Sequence, residues 1–501
     1  MKKPFKVLTA MLAAFTLAIA FAFAGCGGAP YVTSIVQNPP NGQQDSFTVY
    51  YSDGTSYEIK VNNGKDGANG QAGADGKDVT AADLYEEYKK QTGDENITYA
   101  EFLEKYLTVT DDGSASVAQC LNSTMKLYTE FVESSIHYVG FNQTRKVSKT
   151  AIYTGSAVIW DIDADAAGYT YIVTNYHVIY DKKADGELNG GMTARKVYCY
   201  LYGSEDAPIE KDTGRTDVYG NPIYETDENG CLVYDYGDYG VSCEYIGGSI
   251  EKDLAVLRAK TSELKEINPD IKKIELASDY YVGETAIAIG NPENEGMSVT
   301  KGIVSVDNEY ITLSIDDTKR AYRSIRMDTA LYGGNSGGGL FNAKGELIGI
   351  CNAGDSEDQN INYAIPLDIV TGTVENILYY FGAEGFENGV HIITLGVTVI
   401  AENSRYVYDA ALGYGKIKEN VVLREVTANS IAERLGLASG DLIKSLSING
   451  KEWQIYRTFA ISDLILTMRP GDSISFKYER GGVEKNTGAY VLQSRTDFKK
   501  I

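Results

Sequence analysis

Three short patterns bring together residue types that could perform nucleophilic chemistry. Thr174-Asn-Tyr-His177-Val178 follows a β-type run. Lys252-Asp253-Leu-Ala-Val-Leu257 opens another. Gly333-Gly-Asn-Ser336-Gly-Gly-Gly339 is a glycine-rich turn with one Ser at its centre. Each alone has an ordinary structural explanation: a His after a strand, an Asp at a turn, a flexible loop. Together they follow the order His, Asp, Ser, one of the chain orders in which hydrolytic triads occur. The chemistry needs each type. A Ser hydroxyl must lose its proton to attack a carbonyl, and His has the unperturbed pKa suited to taking it near neutrality. A carboxylate holds the imidazole tautomer and stabilises the imidazolium. Tight turning at the glycines lets the N–H groups of Gly334 and Ser336 converge as an oxyanion hole. His177, Asp253 and Ser336 are the candidate catalytic residues.

The elements that must position them are short. From about 120 to 380 the chain is a series of β-type runs separated by Gly, Asn and Asp turns, such as Thr170-Tyr-Ile-Val-Thr174 and Leu347-Ile-Gly-Ile-Cys351. That spacing predicts a mainly β fold, a barrel pair or a sandwich. Residues 204–240 interrupt it with a stretch rich in Tyr, Asp and Gly, which reads as an inserted surface loop or hairpin. Composition agrees with a globular protein: 43% hydrophobic and 23% charged residues. The net charge of −23 leaves no electrostatic footprint for nucleic acid. The six Cys contain no CxxC pair, so the usual zinc spacing is absent.

With these motifs, residues 120–495 resemble a trypsin-like serine protease of the HtrA/Deg type. Gly155-Ser-Ala-Val-Ile159, Ile289-Gly-Asn-Pro292, Thr300-Lys-Gly-Ile-Val-Ser305, Met327-Asp-Thr-Ala330 and Asn362-Tyr-Ala-Ile-Pro366 carry the likeness. It implies a trypsin-like double β-barrel over 119–385 and an α+β PDZ domain over 390–495. It also implies a serine endopeptidase of unfolded or damaged extracytoplasmic protein, without cofactor or metal, and a homotrimer. Ala330 would line the base of the S1 pocket, and Asn362, Tyr363 and Ala364 would pair with substrate backbone beside it. In digestive relatives an Asp just before the nucleophile pairs with a new N-terminus. Asn335 cannot, so loop rearrangement is the implied control. The 76 residues from His177 to Asp253 exceed the family's usual spacing. The insertion within them would cap the substrate cleft, engage a partner, or simply decorate the surface.

Asn420-Val-Val-Leu-Arg-Glu-Val426, Ser430-Ile-Ala-Glu-Arg-Leu-Gly436 and Ala438-Ser-Gly-Asp-Leu-Ile443 carry the PDZ likeness. It implies that Leu395, Gly396 and Val397 form a carboxylate-binding loop for free C-termini of peptides. Ile461 with Leu464 or Ile465 would line the side-chain pocket.

Lys2, Lys3 and Lys6 precede an apolar run, Val7 to Ala24, and a Gly25-Cys26-Gly27-Gly28 junction. The pattern resembles a bacterial lipoprotein signal over 1–25, with Cys26 lipidated and the body lipid-anchored on the extracytoplasmic face of the cytoplasmic membrane. An uncleaved membrane anchor is the alternative. In the spacer, 26–118, residues 27–60 read as a hairpin about Asp53-Gly54. Glycines at 64, 67, 70, 73 and 76 make a flexible stretch too short for collagen, and 79–107 reads as a helical pair. Lipidation would leave five Cys, an odd number that permits at most partial disulfide pairing.

Overall fold

The computed structural model describes residues 32–37, 44–51, 56–62, a few positions between 85 and 98, and 114–501 apart from 141–142, 166–167, 205, 355–357, 359, 411 and 494–495. The signal-like segment with Cys26, the glycine triplets and most of 79–107 lie outside the described residues.

Within residues 1–108, strands β1 (Val32–Gln37), β2 (Gln44–Tyr51) and β3 (Ser56–Asn62) form an antiparallel sheet. β2 and β3 make the expected hairpin, with Val49 opposite Tyr57. β1 adds a third strand to it.

Residues 109–501 are the second unit. Six of its strands close a first barrel: β4 (Thr124–Gly140), β5 (Gln143–Ile162), β6 (Tyr169–Thr174), β7 (Lys196–Leu201), β8 (Val241–Ser249) and β9 (Leu254–Lys260), in the order β8-β9-β6-β5-β4-β7. Closure removes free edges. Leu127, Ala157, Ile159, Ile172 and Leu257 fill its interior, on the alternate positions that a pleated strand turns to one side. Six more close a second barrel: β10 (Thr285–Gly290), β11 (Ser298–Ser314), β12 (Lys319–Met327), β13 (Gly339–Phe341), β14 (Glu346–Gly354) and β15 (Asn362–Pro366). Ile287, Val304, Ile325, Leu340, Phe341 and Ile350 of its strands belong to one buried core. The mainly β expectation therefore resolves into two barrels.

The insertion folds as small hairpins, with Tyr234–Asp235 paired to Ile209–Glu210 and Pro222–Tyr224 paired to Asp212–Thr216. Cys120, Cys199, Cys231, Cys243 and Cys351 are all free and buried.

Helix α2 (Leu367–Tyr380; the short α1, Tyr176–Ile179, carries His177) leads out of the second barrel. The C-terminal sheet runs β16 (Val397–Asp409), β17 (Tyr414–Val426), β18 (Leu442–Ile448), β19 (Ser473–Arg480) and β20 (Val483–Asn486), with α3 (Ala460–Thr467) beside it. α3 lies against α2: Asn376 donates to the Leu466 carbonyl at 3.0 Å, and a Cβ on Gly372 would collide with Leu466. Arg323 of β12 meets Asp463 of α3 at 2.6 Å and stacks on Phe459, and Arg457 meets Asp307 of β11 at 2.7 Å. Tyr414 stacks on Tyr281 at 4.1 Å, and Lys416 pairs with Asp279. The C-terminal sheet is thus clamped to the second barrel.

The barrels meet where Gly337 (φ +87°) presses on the Ser156 carbonyl and the Thr174 hydroxyl. A methyl group there adds overpacking to a left-handed backbone, whereas Gly283 (φ +90°) faces open space. Gly337→Ala should cost about 2–4 kcal/mol, and Gly283→Ala about 1 kcal/mol from backbone strain alone. Denaturant unfolding of both variants checks this. Equal losses would refute the close contact as the cause.

Candidate active site

His177 and Asp253 come from the first barrel and Ser336 from the second. Asp253 is fully buried immediately before β9, at φ +51°. A non-glycine residue holds that conformation only when its surroundings over-determine it. Here the His177 N–H donates to one carboxylate oxygen at 2.9 Å and Asn175 Nδ2 donates to the Asp253 carbonyl at 3.0 Å. The second carboxylate oxygen lies 2.8 Å from His177 Nδ1. A carboxylate can only accept, so Nδ1 carries the proton and Nε2 is left as the base. Burial pulls the imidazole pKa down. The charge and hydrogen bond of Asp253 more than offset this, so the net shift is upward from 6.5.

Ser336 sits in the loop between β12 and β13. Its carbonyl accepts from the Ser156 N–H at 2.8 Å. Its hydroxyl donates to the Asn352 carbonyl at 3.2 Å, and no hydrogen bond joins it to His177 among the described residues. The nucleophile's hydroxyl is engaged by the Asn352 carbonyl instead of the base.

The oxyanion hole is oriented by bonds to the Gly333 and Gly334 carbonyls, the second from the Ser156 hydroxyl, which is itself held by Asn291. The Gly333 carbonyl accepts from Glu293 N–H at 2.6 Å. A trans peptide points its N–H opposite to its carbonyl, so the Gly334 N–H faces away from Glu293. The Gly334 carbonyl accepts from Ser156 Oγ at 2.7 Å, and that same oxygen accepts from the Asn291 N–H at 2.8 Å. The N–H groups of Gly334 and Ser336 have no acceptor among the described residues. The two donors named from the sequence are therefore both open. Gly334 (φ +100°) also has no room for a side chain, because a Cβ would meet the Asn291 carbonyl.

Ser156 and Asn291 were legible only as parts of β-strand motifs, and their bracing role comes from contacts across the barrel seam. Another expectation needs correction. Asn362, Tyr363 and Ala364 lie in β15, which pairs with β12 on one side and β14 on the other. Their backbone has no edge left for a substrate. The open edge beside Ser336 is the end of β14, Ala353–Gly354, where β13 no longer pairs. Ala330 is half-buried in the loop before Ser336, its carbonyl held by Thr300 Oγ1 at 2.8 Å.

The second candidate site is a groove of about 200 Å³ between β16 and α3. Leu395, Gly396, Val397, Ile461 and Ile465 all line it. Leu464 does not, and packs instead against the C-terminal core. The Leu395 and Gly396 carbonyls are taken by Ala432 and Thr427 N–H at 3.0 and 2.8 Å. The Leu395 and Gly396 N–H groups have no acceptor among the described residues. Among the described residues β16 pairs only with β17, which leaves its other edge open.

Two closed barrels, with the His–Asp pair on one and a Ser between glycines on the other, define the site. Residues 155–350 match the trypsin-like peptidase domain family. The trypsin-like domain thus spans the seam, from the Ser156 brace through the nucleophile loop. The chain is 29% identical over 282 residues to "Serine protease Do-like HtrA" of Bacillus subtilis (strain 168), across 55% of this chain and 60% of that protein. It is 29% identical over 219 residues to "Serine endoprotease DegS" of Haemophilus influenzae, across 41% and 54%. The alignments thus span little more than half of these relatives' own lengths. The solved structure of "HtrA-type protease AlgW with decapeptide" is 24% identical, with a TM-score of 0.42, over 76% of this chain and 98% of that one.

The base must be neutral to accept a proton. An upward-shifted imidazole therefore gives a kcat/KM that rises with pH along a limb centred above 6.5. Asp253→Asn removes the charge that opposes burial and leaves the tautomer unfixed. It should move the limb to lower pH and reduce kcat/KM by about 10⁴-fold. pH–rate profiles of both proteins check the sign and the size.

Proposed function

We propose that the chain is a serine endopeptidase of HtrA/Deg type that cleaves unfolded or damaged extracytoplasmic proteins. The observation that carries this is the His177–Asp253 pair at 2.8 Å beside a Ser whose loop presents two unbonded N–H groups. Ser336 attacks the scissile carbonyl, and His177 Nε2 takes the hydroxyl proton. Asp253 stabilises the imidazolium, and the Gly334 and Ser336 N–H groups receive the developing oxyanion. His177 then returns the proton to the leaving amine. Substrate backbone pairs with Ala353–Gly354.

The C-terminal sheet acts as a PDZ domain. A peptide adds a strand to the open edge of β16 and lays its carboxylate on the Leu395 and Gly396 N–H groups. Cys26 is the lipid anchor on the extracytoplasmic face, and the assembly is a trimer. Mass spectrometry of the mature N-terminus and sedimentation of the ectodomain test these two points.

A catalytically silent, chaperone-like role is the second reading. What favours it is the Ser336 hydroxyl resting on the Asn352 carbonyl rather than on His177. A fluorophosphonate probe separates the two, since it labels only a competent nucleophile. Ser336→Ala should abolish labelling and hydrolysis while unfolding as the parent does. Ala330 offers no charge to Arg or Lys, so proteome-wide profiling should show cleavage after small or medium aliphatic residues. A neutral pocket discriminates by only about 1–3 kcal/mol per methylene. Dominant cleavage after Lys or Arg would refute this pocket.

A peptide with a hydrophobic C-terminus should bind the groove in the micromolar range, about −8 kcal/mol, and raise turnover of a second substrate. Gly396→Trp is unsuitable as a test, because any side chain there collides with Ser430. Ser462 is exposed and lines the groove, so Ser462→Trp should fill it and bring the stimulated-to-basal ratio close to one. An undiminished ratio would remove the groove as the sensor.

A further inference from the structure

The turn over residues 291–296 is strained and lies against the oxyanion hole. Glu293 (φ +52°) and Asn294 (φ +64°) are consecutive non-glycine residues in left-handed conformation. The Glu293 N–H is the group that holds the Gly333 carbonyl at 2.6 Å. Whatever fixes this turn therefore fixes the direction of the Gly334 N–H. Asn291 braces it from within: its Oδ1 accepts from the Gly296 N–H at 3.0 Å and its Nδ2 donates to Thr154 at 3.0 Å. The remaining support comes from the first barrel. Tyr128 of β4 donates its hydroxyl to Asn294 Oδ1 at 2.7 Å.

Tyr128 is itself immobilised. Its ring is buried and meets Tyr200 edge-on at 5.3 Å. Tyr200 donates to the Tyr236 carbonyl at 2.6 Å, and Tyr236 stacks on Tyr198 at 3.8 Å. Tyr236 donates to the fully buried Glu130, which also holds Arg195 at 2.6 Å. Tyr236 belongs to the returning end of the 204–240 insertion. The insertion is therefore tied by a row of tyrosines to the turn that orients the hole.

We propose that Tyr128 is a positioning residue for the oxyanion hole, acting through Asn294 and the Glu293 N–H. The tyrosine row makes the root of the insertion part of that support. Tyr128 never touches substrate. Its hydroxyl keeps a left-handed turn in the one arrangement that leaves the Gly334 N–H free. The inference rests on the serine-endopeptidase reading.

The test uses the full chain with a peptide substrate and a peptide aldehyde, whose hemiacetal with Ser336 places an oxygen in the hole. Tyr128→Phe removes only the hydroxyl. Asn294→Gly removes the acceptor and suits the positive φ. Loosening a donor rather than deleting it should lower kcat by about tenfold, with KM within about twofold. Aldehyde affinity should fall by the same factor, and the acid limb set by His177 should not move. Both variants break the Tyr128–Asn294 hydrogen bond, and Asn294→Gly also removes the acceptor of the longer Asn291 and Thr154 contacts at 3.4 and 3.5 Å, so the double variant should be no slower than Asn294→Gly alone. Unchanged kcat and aldehyde affinity overturn the proposal, as does a double variant whose losses multiply. If Tyr128→Phe does not fold, Asn294→Gly decides alone by the same readouts. A parent chain without Ser336-dependent hydrolysis overturns the functional reading first, and this inference with it.

Discussion

The structure depends on a seam. Its catalytic groups come from two separately closed barrels, so the site exists only where one barrel is held in register on the other. Ser156 does most of that holding. It lies fully buried in β5 of the first barrel. Its N–H reaches the Ser336 carbonyl, and its hydroxyl serves the Gly334 carbonyl and the Asn291 N–H together. Its own carbonyl accepts from Thr174, two residues before α1 and three before His177. A single residue, through its backbone and its hydroxyl, thus refers the nucleophile loop, the oxyanion turn and the histidine strand to one point. A buried hydroxyl making both a donor and an acceptor bond is fully satisfied. Nothing of the same size could replace both functions.

The resting serine fits this picture. Its carbonyl is fixed by Ser156, while its hydroxyl is free to choose between Asn352 and His177. On the proposed mechanism the hydroxyl must leave the Asn352 carbonyl before it can donate to His177. The C-terminal clamp is placed to influence that choice. Arg323 lies on β12, the strand that runs directly into the 328–336 loop, and its partner Asp463 is on α3. α3 lines the groove beside β16 through Ile461, Ser462 and Ile465. A peptide can shift the loop only as far as its affinity differs between the two arrangements, and α3 is the element that meets both.

Much of the site was legible because its chemistry is local. A His after a strand, an Asp before one and a Ser between glycines announce themselves by residue type and chain order. The β2–β3 hairpin was legible from strict alternation around Asp53-Gly54. The Asn38-Pro-Pro-Asn-Gly42 run between β1 and β2 is itself a turn signal, and reading 27–60 as one hairpin did not use it. What else escaped was set by distant pairing. The substrate-facing edge was misassigned to Asn362–Ala364, because a sequence shows that a segment is a strand but not which of its edges remain free. Barrel closure takes both edges of β15 and leaves only the end of β14. Ile461, Leu464 and Ile465 all fall on one helical face, so periodicity could not separate groove from core, and only the packing against the sheet does. Tyr128 reads as one more aromatic in an apolar strand.

Part of the backbone strain lies where the chemistry is, although Asp317, Asn403, Asn429 and Asn449 also take positive φ elsewhere. Asp253, Glu293 and Asn294 are non-glycine residues at positive φ, and Gly334 and Gly337 sit at positive φ with no room for a side chain. Left to local preference, none of these segments would choose its conformation. Each is held by bonds from elsewhere in the chain: Asp253 by Asn175 and His177, the 291–296 turn by Tyr128 and Asn291, and Gly337 by the Cys351 carbonyl at 2.9 Å. The energy stored there is supplied by barrel packing that makes no contact with substrate. Loops whose shape is imposed from outside return to other shapes when one external bond is withdrawn, while the barrels beneath them stay closed.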